Sequence, residues 1–144
     1  MIEVRADITV DRSADEVFAY LSDWTNNPNW QRGMESCVWT SEPPLRVGST
    51  YDQEARFLGR PVVSSFEVVE YEPGTLVRIT TTSGTMPLDI TRRVDSTGPT
   101  TSRVRAIVRG GPTGVMRLLN PLMAKIVQRS VTGDYERLRA LLAS

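Results

Sequence analysis

Apolar and polar residues alternate from the start of the chain. Ile2, Val4, Ala6, Ile8 and Val10 fall on one face and Glu3, Arg5, Asp7 and Thr9 on the other, the two-residue period of a half-buried strand. Ser13-Ala14-Asp15-Glu16 follows at capping-box spacing, so a short helix is expected to continue through Val17, Phe18, Tyr20 and Leu21. The Asn-, Asp- and Pro-rich stretch Ser22–Trp30 breaks that helix. It predicts a second, very short one, capped by Thr25 or Asn26 and ending near Trp30. Strands are expected at 36–40, 50–58, 61–71, 75–82, 88–95 and 100–109, separated by Gly48, Gly59, Pro73-Gly74, Gly84 with Pro87, and Ser96–Pro99. In the second of these, Tyr51, Gln53, Ala55 and Phe57 share the less charged face.

After Gly110-Gly111 the period changes. Leu119, Leu122, Met123, Ile126, Leu138, Leu141 and Leu142 recur at three- and four-residue steps, which predicts an amphipathic helix over 112–142 with Pro112 in its first turn. Pro121 removes a hydrogen bond to Arg117 and predicts a kink or a break there. Gly133 costs about 1 kcal/mol against alanine in a helix interior. Close packing on the sheet is the simpler account of both residues. The functional account is a first half, Val115 to about Ser130, that shifts to admit a ligand. From Gly133 onward, Tyr135, Leu138, Leu141 and Leu142 read as an anchor.

The element order is strand, two short helices, six strands joined mostly by tight turns, and one long helix. It predicts an α+β domain with an antiparallel sheet and the helix on its concave face. One phase stays open. With Pro73 and Gly74 as central turn residues, Val68 faces Ile79 and Val69 faces Arg78. One face then carries Phe66, Val68, Val77 and Ile79, and is favoured as the inner one. The other carries Val69, Tyr71 and Leu76, and would bury Glu67 and Arg78 as a diagonal pair.

Composition narrows the chemistry. The chain has 144 residues, read as one domain over 1–144, with 17 basic and 17 acidic side chains, so no basic footprint argues for nucleic acid. A lone cysteine, Cys37, fits a reducing compartment. Neither a signal-like N-terminus nor an apolar run of membrane-spanning length is present, and a cytoplasmic protein is expected. There is no histidine, which excludes His-dependent triads and His-ligated metals. Lys125, the sole lysine, lies opposite the Leu122/Met123/Ile126 stripe, where a desolvated Schiff-base lysine is not expected. No phosphate-binding or dinucleotide motif occurs, and no cofactor is expected.

Several stretches at these spacings resemble one family. They are Ser13–Phe18, Ser22-Asp23-Trp24 through Pro28-Asn29-Trp30, Val47–Tyr51, Phe66–Pro73 and Asp134–Leu138. The chain resembles the START-like, or Bet v 1-like, superfamily along essentially its whole length. It is most similar to the bacterial polyketide cyclase/dehydrase-type (SRPBCC) proteins. The resemblance implies a helix-grip fold, in which a curved seven-stranded antiparallel sheet wraps a long C-terminal helix and two short helices follow the first strand. It also implies an apolar cavity between sheet and helix for a lipid, sterol, quinone, polyketide or aromatic compound. Some members are aromatases, cyclases or dehydratases, and many only bind or carry. The matched motifs contain no catalytic residues, so none is transferred, and the missing histidine departs from members that use one.

Under that expectation the cavity is lined by Trp24, Trp30, Met34, Tyr51, Phe57, Phe66, Met86, Leu88, Leu119 and Met123, each of which taken alone reads as ordinary core. Tyr51 and Gln53 are placed to orient a carbonyl. Arg78 or Arg92, if inside, would stabilise an enolate. Three functions compete: a binding or carrier module for a hydrophobic small molecule, a polyketide cyclase or dehydratase, and a protein–protein role, which the balanced charge supports least. A monomer or homodimer is expected.

Overall fold

Strand β1 (Ile2–Val10) buries Ile2, Val4, Ile8 and Val10 on one face, as its alternation requires. It leads into helix α1 (Ala14–Leu21), a 3₁₀ helix (Trp24–Asn29), strands β2 (Met34–Trp39), β3 (Thr50–Phe57), β4 (Arg60–Glu72), β5 (Leu76–Gly84), β6 (Leu88–Gly98) and β7 (Thr101–Gly110), and helix α2 (Asn120–Ala143). The structure is a computed structural model and describes residues 2–57, 59–84, 87–110 and 120–143, without the side chains of Phe57 and Asn120. All strands join one antiparallel seven-stranded sheet in the order β1-β7-β6-β5-β4-β3-β2. Consecutive strands from β2 to β7 pair with one another, and β7 returns to β1, so the sheet curls with β1 and β2 as its two edges. It is the helix-grip architecture.

Local chemistry sets the early boundaries. The Ser13 hydroxyl caps α1, accepting from the Glu16 N–H at 3.3 Å, while the Glu16 carboxylate reaches back to accept from that hydroxyl at 3.0 Å instead of from the Ser13 N–H. The 3₁₀ helix is capped one step earlier than Thr25 or Asn26: Asp23 Oδ1 accepts from the Thr25 N–H at 3.1 Å and from its hydroxyl at 2.7 Å. A carboxylate beside free N–H groups outcompetes the neutral caps downstream.

The β4–β5 hairpin corrects the expected register twice. The loop holds Pro73, Gly74 and Thr75, because Glu72 pairs with Leu76, and Gly74 takes the left-handed conformation (φ 78°) that this turn needs. That shifts the pairing by one residue. A bulge at Val69 then restores it, so Val68 still faces Ile79 while Glu70, not Val69, faces Arg78. Phe66, Val68, Val77 and Ile79 are buried, which settles the inner face as the favoured one. Beyond the bulge Tyr71 swings to that face and stacks on Phe18, with ring centroids 6.2 Å apart. Arg78 points outward, held by both Asp89 oxygens at 3.0 and 2.7 Å and by Glu70 at 2.9 Å. It is therefore not a cavity residue, and Glu67 and Arg78 are not a buried pair.

Helix α2 turns inward most of the face expected, with two exceptions. Met123, Tyr135, Leu138 and Leu142 are buried, with Val127 and Val131 beside them, whereas Leu122 and Leu141 are exposed by 58% and 42%. Pro121 is the second residue of the described helix. The stretch on which its expected kink depends, including Leu119, lies outside the described residues. The Gln128 amide covers the free edge of β1, donating to Arg5 O at 2.9 Å and accepting from Arg5 N–H at 3.3 Å, as a neighbouring strand would. Near the other end the Arg32 N–H donates to Asp134 at 3.0 Å and Arg137 to Trp30 O at 3.1 Å. No helix among the described residues is long and apolar enough to cross a membrane.

Candidate functional site

Between α2 and the sheet lies a cavity of about 180 Å³. Helix α2 roofs it with Met123, Val127 and Ser130. One wall is Ile2, Leu88 and Val108 from β1, β6 and β7; the other is Gln53 and Ala55 from β3 with Val62 and Ser64 from β4. Gln31, Met34 and Arg56 close one end. Each wall residue follows from strand phase: Gln53 and Ala55 share the face of Tyr51, Ser64 that of Phe66, and Leu88 and Val108 those of Ile90 and Ala106. The lining is mostly apolar. Its one described charge, Arg56, is taken up by Glu35 at 2.9 Å and by Gly59 O at 3.3 Å.

The register sets a row of three side chains across the inner face, of which Gln53 and Ser64 border the cavity. Cys37 pairs with Gln53, and Gln53 with Ser64, so three polar side chains lie abreast on the inner face of β2, β3 and β4. Ser64 is buried and its hydroxyl has no hydrogen-bond partner.

Deeper in the grip, aromatic rings form a packed column. Tyr51 lies between Trp24 (4.7 Å) and Phe66 (5.1 Å), and Trp39 leans on Trp24 at 6.3 Å. Beside the column sits Arg92, the only charged side chain among the buried described residues, 5% exposed. Its guanidinium lies 5.1 Å from the Trp30 ring and 5.9 Å from the Trp24 ring, and its Nε donates to the Tyr135 hydroxyl at 3.1 Å. Nη1 is buried without a partner, and no described carboxylate forms an ion pair with the group. Two indole faces and a phenol oxygen are its compensation, a cation–π cage. Burial, partly offset by this charge, pushes the Tyr51 phenol above its ordinary range. Burial also raises the Asp134 carboxyl against the bonds from Arg32 and Arg137.

Cys37 is buried, accepts from Asn27 Nδ2 at 3.7 Å, and burial pushes its thiol up to about 11. At pH 8 roughly one thiol in a thousand is then ionised, against about a quarter for a free cysteine. Iodoacetamide at pH 8 is therefore expected to leave the native protein unmodified over a time that fully alkylates the denatured chain, as read by intact mass. Equal rates in the two states would show that the thiol is open to solvent.

Of the residues expected to line a cavity, the structure brings Met34, Gln53, Leu88 and Met123 together on its wall. Trp24, Tyr51 and Phe66 instead fill the packed column, and Trp30 is buried edge-on against Tyr135 at 5.0 Å. Met86, Leu119 and the Phe57 side chain lie outside the described residues. Ser64, Val62, Val108, Val127 and Ile2 were not anticipated, although the inward phase of Phe66 already implies an inward Ser64. Arg92 was legible in the same way, since it shares a strand face with Ile90 and Val94.

Solved structures of other proteins share this architecture. A protein from Thermus thermophilus superposes with a TM-score of 0.83 at 20% identity, over 96% of this chain and 94% of its own. A START superfamily protein from Mycobacterium smegmatis gives 0.84 at 12% identity over 97% and 96%. The Zhui aromatase/cyclase from a Streptomyces species gives 0.80 at 12% over 97% and 92%. At these identities the likeness establishes the fold alone. No curated protein matches the sequence. The family model described as polyketide cyclase / dehydrase and lipid transport matches residues 1–143, and the chain belongs to that family.

Proposed function

We propose that this protein binds a hydrophobic small molecule in the cavity between α2 and the sheet. The observation that carries this reading is the mostly apolar space of about 180 Å³ between α2 and the sheet. Its described lining offers methyl and methylene groups, two amides and two hydroxyls, the composition of a site that holds a ligand by shape and orients it by a few polar contacts. The space is of the order of the 150 Å³ or so that accommodates a benzene ring. A ring or short chain fits inside. The family description includes lipid transport, which supports a carrier role.

A cyclase or dehydratase is the second reading, favoured by the same family description and by the likeness to an aromatase/cyclase. Gln53 and Ser64 would then hold a carbonyl of the reacting chain. Native mass spectrometry after incubation with a panel of fatty acids, quinones and aromatic ketones tests the binding itself. Retention of one ligand per chain is expected for at least one class, and failure of the whole panel would remove both readings.

A further inference from the structure

We propose that the ligand of this cavity carries a neutral carbonyl oxygen, received by Ser64 and Gln53, on an otherwise apolar, ring-sized body. The inference rests on the cavity being a ligand site and adds the chemical class of what enters it. Ser64 is 1% exposed, lines the cavity, and its Oγ has no hydrogen-bond partner. A buried hydroxyl left unpaired is costly, and strand positions facing a core are normally filled by apolar side chains. Its β5 neighbour is Gly84, where a Cβ would come within 3.0 Å of the Ser64 hydroxyl, so no side chain from that strand position covers it. On the opposite flank Gln53 is in direct register with Ser64 and lines the same cavity.

Directly paired residues have Cβ atoms about 5 Å apart. One oxygen between them can accept from the serine O–H and the glutamine N–H together. Both donors are uncharged. The nearby guanidinium of Arg56 is already engaged by Glu35 and Gly59, so a carboxylate entering here would lose its hydration without gaining a counter-charge. The arrangement therefore selects a ketone-like oxygen over an acid, and over a plain hydrocarbon.

Acetophenone, its near-isosteric hydrocarbon cumene, and benzoate distinguish these cases. Their affinities would be measured by calorimetry or amide-shift titration on wild type, Ser64→Ala and Gln53→Leu. Ser64→Ala removes an unpartnered hydroxyl and should fold normally. It is expected to weaken acetophenone about 3–10-fold, the worth of one hydrogen bond, and to leave cumene unchanged; Gln53→Leu should do the same. Cumene thereby reports that the cavity is intact in each variant. If cumene and acetophenone bind wild type and neither variant changes their ratio, the proposal is wrong while the binding site stands. A parallel loss of both ligands, or tighter binding of benzoate than of acetophenone, overturns it equally. If none of the three binds wild type, the ring-sized carbonyl ligand is ruled out and the proposal falls, while the wider panel of fatty acids, quinones and aromatic ketones still decides the binding reading.

Discussion

Arg92→Ala is expected to destabilise the protein by about 3–5 kcal/mol, whereas Arg92→Met is expected to stay within about 1 kcal/mol of wild type or to exceed it. The two variants separate volume from charge. Alanine removes the stem and head that fill the space between Trp24, Trp30 and Tyr135, leaving the aromatic column without its neighbour. Methionine restores most of that volume with an adaptable apolar chain. It also removes a cation that has no ion-pair partner among the described residues and a buried Nη1 with nothing to bond. A buried charge held by ring faces and one phenol, with the carboxylate it interacts with, Asp134, not in ion-pair contact, commonly costs more in lost hydration than its contacts return. Urea denaturation of the three proteins, fitted with a common m-value, decides the matter. If methionine costs as much as alanine, the cage is a net stabilising contact and Arg92 is a structural pin. If methionine is neutral or better, the arginine is retained at the expense of stability, which points to a role of its charge other than holding the fold.

Ala55→Phe is expected to abolish ligand binding, by more than about 100-fold, while raising stability by about 1–2 kcal/mol. Ala55 faces the cavity beside Gln53, and the walls leave about 180 Å³ for a larger side chain. A phenyl group there buries apolar surface that would otherwise border empty space, and it occupies the volume a ring-sized ligand needs. Overpacking normally costs about 1–3 kcal/mol in a filled core, so the sign of the stability change is itself a measure of how open the cavity is. Thermal unfolding together with titration of a ligand found by mass spectrometry checks both halves. A variant that binds normally would place the ligand elsewhere and remove this cavity from consideration.

Much of the architecture was legible in the residues because each element announces itself locally. The alternation of β1, the cap at Ser13 and the turn residues between strands all act within a few positions of themselves. The hairpin from β4 to β5 shows where that locality stops. A loop one residue longer than expected and a bulge at Val69 cancel, so the pairing of Val68 with Ile79 was right while the route to it was not. Nothing in the sequence around Val69 distinguishes a bulged valine from a paired one. The bulge is selected by the curl of the sheet and by the Tyr71–Phe18 stack it permits.

The site was less legible, for a related reason. Strand phase identifies which side chains point inward, and by that rule Gln53, Ser64, Leu88 and Arg92 are all inward. Whether an inward residue borders a cavity or a packed core depends on what reaches it from across the fold. Trp24, Trp30, Tyr51 and Phe66 looked like cavity wall because they are large aromatics, yet their rings pack on one another or, for Trp30, on Tyr135. On α2, Met123, Tyr135, Leu138 and Leu142 are buried as their spacing suggests, yet Leu122 and Leu141 of the same pattern face solvent because of how the helix is rotated. That rotation follows from contacts far apart in the chain, Gln128 on the β1 edge and Asp134 under Arg32.

By itself, then, the sequence determined an antiparallel sheet gripping a terminal helix, because periodicity and turn chemistry are short-range. Only the tertiary structure decided where the interior is filled and where it is left open. Close packing is a property of side chains that meet from different elements, and no single stretch of sequence carries it.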